Sequence, residues 1–496
     1  MRLQDAHTAK TVNLLPALPA LVRKCGIKIS EKSDYKRDMY KGKQRREMQK
    51  LEVKKIIVGM GVTGLSVARY FHARNIAFTV YDSRDHVASL ETVEQMTSAH
   101  GVHCGQWQSS YLDGIEQMVL SPGLSVEMDL VREAKRRGIE VIGDIELFAR
   151  EVKAPVIAIT GSNGKSTVTD LMGKLLAACG YRVKVGGNIG LAALDLLDGE
   201  TPDFYVLELS SFQLETTENL HCAVALVLNI TPDHMDRYDS YGEYAAAKFR
   251  ICRHADRIVI GDELRVALSD WMRQQGLQKN AICFAKHGGA GIDWNLADEK
   301  GIATICHADS PLLPVSAIKL AGSHNYLNVM ACLASLRELD IDVACAFPTL
   351  EQYSGLSHRM QPVRCLRGVT WYNDSKATNV GATIAAVEGI AGDKILIAGG
   401  LGKDAEFSDL GPVLKNNAVS LVLLYGKDAK NIAAAIDGWV EYRFADDLEQ
   451  AVNMAAQQAQ ANSSVLFSPA CASFDMFKNF EHRGDMFCHY VEALSE

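Results

Sequence analysis

No run of about 18 consecutive apolar residues occurs in this chain, which excludes a membrane-spanning helix and argues against a membrane partner. Cysteine pairs at Cys-x-x-Cys spacing are missing as well, and the 12 cysteines are scattered singly. That excludes the common zinc spacings and a disulfide framework, so the expectation is free thiols in a reducing cytoplasm. Net basicity is lacking too: the formal charge of −8 argues against general nucleic-acid binding. Repeats and low-complexity tracts are absent. What is present is ordinary for a globular chain, with 48% hydrophobic and 23% charged residues. A length of 496 residues accommodates about three domains of ~150 residues each.

The first 50 residues differ from the rest, carrying 13 Lys/Arg against 5 Asp/Glu. "VNLLPALPALV" is too short and too proline-broken for a secretory core. Residues 1–50 are therefore expected to be a disordered basic leader or an upstream extension of a chain starting at Met48, with a docking tail as the alternative.

From residue 54 onward, apolar runs alternate with glycine turns and helical stretches. The runs are "KIIVGM", "AFTVYD", "QMVLSPG", "PVIAIT", "DFYVLEL", "AVALVLNI", "KILIAGG", "SLVLLYG" and "SVLFSPA". Such runs read as buried parallel strands of an α/β protein. Boundaries near 144 and 355 give domains of 51–143, 144–355 and 356–496. Parallel sheets bind ligands beyond the carboxyl ends of their strands, so the residues just after each run carry the functional expectation.

Two glycine turns follow strands. "VGMGVTG" sets Gly59, Gly61 and Gly64 in G-x-G-x-x-G spacing, and Asp82 ends the next strand. This dinucleotide fingerprint fits a nicotinamide or flavin, a different nucleotide with its diphosphate at the helix N-terminus, or a turn without ligand. "GSNGKST" is a phosphate loop with its first glycine displaced. Gly161, Ser162, Asn163, Gly164, Lys165, Ser166 and Thr167 would cradle ATP. Lys165 would face the β and γ phosphates, and Ser166 would offer a hydroxyl to Mg2+. Glu208 ends the strand "DFYVLEL", where a phosphate-loop enzyme holds its magnesium. Asp233, His234 and Asp236 follow the next strand. Lys248, in the helical "YAAAKFRIC", reads on composition alone as a surface lysine.

Taken with "ELSSFQLE", "NITPDHMDRY", "AGSHNYLN", "LSHRM", "NDSKATN" and "SPACASFDMFKNFEHRG", these motifs resemble the Mur ligases over residues ~51–496, and more narrowly their D-glutamate-adding member. The resemblance implies a Rossmann-like N-terminal domain, a central P-loop ATPase-like domain and a Rossmann-like C-terminal domain. It implies ATP-dependent amide formation between UDP-N-acetylmuramoyl-L-alanine and D-glutamate, with two Mg2+ ions, by a cytoplasmic monomer. Val62, Thr63, Asp82, Ser83, Arg84 and Ser121 would then face the UDP-sugar, and Asn188 its muramoyl part. Ser166, Glu208, His234 and a carbamylated Lys248 would hold the metals. Asn325, Asn328, Arg359 and Asp374 would surround adenine and ribose. Lys376, Thr378, Lys403, Ser473 and Phe480 would meet the acyl phosphate and D-glutamate. Leu401 stands where some members carry an acid, which leaves the orientation of Lys403 to Asp404 or Glu406.

A nicotinamide-dependent oxidoreductase explains the first glycine turn but leaves Lys165 and Glu208 idle. A folylpolyglutamate synthase shares the ATP chemistry, and a non-catalytic nucleotide-binding scaffold leaves Lys165, Glu208, His234 and Lys248 without a task.

Overall fold

The computed structural model describes residues 53–496 apart from positions 86, 88, 97, 309, 321, 403, 404 and 496. The leader and Lys403 therefore lie outside the described residues. All nine apolar runs named above form strands, in three sheets of five, nine and six strands.

The first sheet is all parallel, in the order Ala99–Cys104, Phe78–Asp82, Lys55–Val58, Gln117–Leu120, Glu140–Ile142. The second places Val156–Thr160 between His221–Val227 and Phe204–Glu208, all parallel. Its far edge is antiparallel, where Trp294–Glu299 pairs with Ile302–His307 and that strand with Ser310–Pro314. The third centres on Ser464–Phe467 between Val369–Asn373 and Lys394–Gly399, with Gln361–Leu366 antiparallel at one edge. The parallel pattern read from the sequence thus holds for the sheet centres, and antiparallel ribbons extend two of the edges.

Helix Lys165–Ala178 shows why the central sheet is covered where it is. Val168, Leu171, Met172, Leu175 and Leu176 are fully buried, at the i, i+3, i+4, i+7, i+8 spacing of an apolar helix stripe. Their burial contributes on the order of 10 kcal/mol in transfer terms, an upper figure because the unfolded chain already buries part of that surface. The stripe packs in one core with Val329, Leu333 and Leu336 of helix Ser323–Glu338. This packing fixes the start of the first helix, and with it the phosphate loop, against the second.

One sequence expectation is corrected here. Cys179, just beyond helix Lys165–Ala178, is disulfide-bonded to Cys345 in the turn Val343–Ala346, with a Cα–Cα distance of 5.2 Å. The pair is 166 residues apart in sequence, and the packing of the turn on the helix brings it together. The other nine described cysteines form no disulfide.

Candidate active site

The strand ends converge as parallel-sheet geometry requires. Ile159 is in register with Glu208, and Thr160 with Val227. The phosphate loop, Glu208 and the 229–237 loop therefore leave the same sheet edge side by side. In the third sheet Asn373 and Ile397 both pair with Phe467, so the turns at 374–379, 399–402 and 468–473 leave one edge together.

The phosphate loop is held from outside itself. Asn163 N donates to Asn229 Oδ1 at 2.9 Å, and Asn229 Nδ2 returns a bond to Asn163 O at 3.1 Å. Ser162 Oγ donates to Thr231 O at 2.9 Å and meets Tyr244 Oη at 3.0 Å. Gly164 has φ +81, and a Cβ there would lie 2.6 Å from Asn328 Oδ1; only glycine fits both the left-handed backbone and that approach. Lys165 Nζ donates to Gly161 O and Ser162 O, both at 2.9 Å. Burial lowers its pKa, with Glu208 opposing and Arg359 adding to the effect.

Lys248 is not on the surface. It is 2% exposed, and Nζ donates to Gly161 O at 2.9 Å. The residue sits near the end of helix Tyr241–Phe249, whose inward face also carries Tyr244 and Ala245. Burial first, then the nearby Lys165 charge, pushes its pKa well below the ordinary lysine value. Composition gave no sign of this, because one lysine on an alanine-rich helix reads as a solvated face.

Glu208 is 2% exposed. Asn188 Nδ2 donates to its Oε1 at 2.8 Å, while the buried Oε2 has no hydrogen-bond partner. An orphaned carboxylate oxygen beside a phosphate loop suits a divalent cation. His234 lies in left-handed backbone at φ +57, with its ring edge-on to Phe212 at 4.8 Å. Among the described residues no three His, Cys, Asp or Glu side chains form a ready-made metal cluster, so hydroxyl and phosphate oxygens would complete the shell.

Groups from two sheets meet across the cleft. Arg359 Nη2 donates to Ser166 Oγ at 2.5 Å. Asn379 Nδ2 donates to Asp233 Oδ2 at 3.0 Å and to Asn163 Oδ1 at 3.3 Å. Lys376 Nζ lies 3.7 Å from the Phe480 ring centroid. Burial, reinforced by Arg359, brings the Lys376 pKa down to about 8. Asp374 is buried and its pKa is pushed up to about 7. Its carboxyl accepts from Ser468 Oγ at 2.9 Å and Met360 N at 3.1 Å.

A cavity of about 460 Å3 is lined together by Ser162, Lys165, Ser166, Asn188, Glu208, His234, Lys248, Lys376, Thr378, Ser473 and Phe480. A smaller one of about 80 Å3 adjoins Gly164, Thr167, Asn325, Asn328, Arg359 and Asp374. Val62, Thr63, Asp82, Ser83, Arg84 and Ser121 line a third of about 350 Å3 at the first sheet. Gly161 is buried beneath the loop. Asn229, Tyr244 and Asn379 escaped the sequence reading. Asn229 was findable, since it stands two residues past a strand end, whereas the other two depend on contacts between distant segments.

The Asp82 carboxylate is already engaged. Arg84 donates to it through N, Nε and Nη2, and Met60 N donates at 2.7 Å. The Arg84 guanidinium holds its pKa down at about 2. Those bonds occupy the acid that a nicotinamide site would present to its ribose hydroxyls.

Three family models match the chain in sequence. A MurD-like N-terminal domain of Mur ligases covers residues 53–143, the Mur ligase middle domain covers 159–336, and the Mur ligase glutamate ligase domain covers 358–471. The UDP-N-acetylmuramoylalanine--D-glutamate ligase of Pseudomonas aeruginosa is 43% identical over 448 residues, covering 89% of this chain and 98% of the relative. The enzyme of the same name from Shewanella oneidensis is 43% identical over 446 residues, covering 88% and 98%. Among solved structures, the UDP-N-acetylmuramate-alanine ligase of Thermotoga maritima matches with TM-score 0.55 at 18% identity, over 89% of this chain and 99% of that one. The MurF ligase of Thermotoga maritima in complex with ADP matches with TM-score 0.54 at 19% identity, over 90% and 96%. These structural likenesses establish the three-domain α/β fold. The chain belongs to the Mur ligase family, and its 43% identical relatives are D-glutamate-adding ligases.

Proposed function

We infer that the chain is an ATP-dependent amide ligase that adds D-glutamate to UDP-N-acetylmuramoyl-L-alanine through an acyl phosphate, a step in peptidoglycan precursor synthesis. The observation that carries this is the single cavity lined by Lys165 and Glu208 from one sheet and by Lys376 and Ser473 from another. Phosphoryl donor and amine acceptor can meet there.

A carboxylate resists attack by an amine, because its charge repels the nucleophile and oxide cannot leave. Transfer of the γ-phosphoryl group to that carboxylate supplies a leaving group, and the protein's share is positioning and charge neutralisation. Lys165 turns from its own loop carbonyls to the phosphates. Asn325, Asn328, Arg359 and Asp374 hold the nucleoside end. The six residues at the first sheet hold the UDP group, and Asn188 orients the muramoyl arm. The amine of D-glutamate, held by Thr378, Ser473 and Phe480, then attacks the acyl phosphate. Lys376 stabilises the oxyanion that develops. Closure of the cleft keeps water from the acyl phosphate.

Ser166, Glu208, His234 and Lys248 would hold two Mg2+ ions, which supply charge neutralisation at the phosphates. Lys248 takes part as a carbamate: its neutral amine adds to carbon dioxide and releases a proton, turning a cation into an anionic ligand. On this reading the enzyme works as a cytoplasmic monomer. The domains are 51–143 for the uridine nucleotide, 144–355 for ATP and 356–496 for the amino acid. ADP release is the direct assay. With UDP-N-acetylmuramoyl-L-alanine present, D-glutamate supports release, whereas L-glutamate, L-lysine and meso-diaminopimelate do not. Release with equal efficiency for any of these three would overturn the reading.

A further inference from the structure

Arg483 belongs to the "FEHRG" motif, and the chemistry above does not use it. Its side chain is 0% exposed, and among the described residues it forms no ion pair. Instead, Nη2 donates to Ser375 O at 2.7 Å, Nε to Ser375 Oγ at 3.1 Å, and Nη1 to Cys471 O at 3.0 Å. Ser375 Oγ in turn donates to Phe480 O at 2.8 Å. Ser375 and Cys471 are themselves fully buried.

Burying a guanidinium among neutral acceptors is unfavourable compared with pairing it to a carboxylate. The rigid planar fork offers something else, a fixed spacing between the backbone segments that it binds. Ser375 immediately precedes Lys376, and Cys471 stands two residues before Ser473. Phe480 joins through Ser375. The buried cation therefore lies behind three side chains that line the amino-acid end of the cavity. Gly400 closes over it: a Cβ there would meet Ala472 O at 2.4 Å and Arg483 Nη1 at 3.2 Å.

We propose that Arg483 is a positioning residue that sets the spacing between the Lys376 and Ser473 turns, and so tunes the site to the length of a dicarboxylic amino acid. The proposal rests on the ligase function inferred above. Its effect falls chiefly on amino-acid binding: of the nucleotide contacts only Asp374 shares a turn with Ser375, and its carboxyl is held separately by Ser468 Oγ and Met360 N.

The test is steady-state kinetics on full-length Arg483→Lys and Arg483→Met, with D-glutamate and the one-methylene-shorter D-aspartate as acceptors. Lysine keeps charge and stem but loses the fork. Both variants are expected to raise KM for D-glutamate by about tenfold and to shrink the preference over D-aspartate by a similar factor. KM for ATP and for UDP-N-acetylmuramoyl-L-alanine should stay within about twofold. Should either variant fail to fold, Ser375→Ala cuts only the Nε acceptor and the Phe480 link, and it should shift the same two readouts in the same direction. Unaltered acceptor preference in folded variants, or three KM values rising together, would overturn the proposal and leave Arg483 a core residue. Failure of the wild-type chain to use D-glutamate at all would instead sink the ligase assignment, before any variant is compared.

Discussion

Lys248 shows how much a single residue's meaning depends on its neighbours. Its sequence context is an ordinary exposed helix, yet the side chain is 2% exposed and its amine is held on the Gly161 carbonyl. A desolvated lysine beside a second cation favours the neutral amine, and only that form adds carbon dioxide. Intact-mass measurement in bicarbonate buffer should find the added mass of one carbon dioxide, and Lys248→Ala should regain part of its activity with a short-chain carboxylic acid. An unmodified lysine together with no rescue would contradict the carbamate. Burial was not readable at this position, because alanine-rich helical context carries no burial signal. The Cys179–Cys345 bond was hidden for a related reason: cysteines 166 residues apart have no local pattern to betray them.

Elements were far more readable than single contacts. The nine uninterrupted apolar runs all became strands, because central parallel strands are buried on both faces. The ribbon formed by "WNLADE", "IATICH" and "SPLLP" was missed. It lies at a half-exposed sheet edge, where polar and apolar residues mix and periodicity fades. The shortened phosphate loop was readable because its chemistry is local: glycine, lysine and serine at a helix start. What the sequence could not tell was that Asn328, from another helix, fills the space a Gly164 side chain would need. Gly164→Ala therefore faces both a left-handed backbone, unfavourable by about 1–2 kcal/mol for a non-glycine residue, and displacement of Asn328. Calorimetric titration should find ATP affinity reduced by at least about tenfold. Gly180→Ala is the control. It has φ +90 with nothing within 4 Å of its Cβ, so it should lose stability but keep ATP affinity. Equal affinity in both variants would contradict the packing role of Gly164.

At the scale of the molecule, each of the three sheets lines a cavity with turns at its carboxyl edge. The first carries the cavity at Asp82 and Ser121, the second the phosphate loop and Glu208, and the third the turns at Lys376 and Ser473. Arg359 to Ser166 and Asn379 to Asp233 already join the last two across the cleft. This convergence was legible only through family resemblance, since no local pattern encodes which sheet edges face one another. The central claim is that the phosphoryl group passes to the substrate's carboxylate before the amide forms. Oxygen-18 placed in the carboxylate of UDP-N-acetylmuramoyl-L-alanine measures this directly: after turnover with ATP and D-glutamate, one labelled oxygen should appear in each released phosphate. Phosphate free of label, alongside normal yields of amide and ADP, would contradict the acyl-phosphate route.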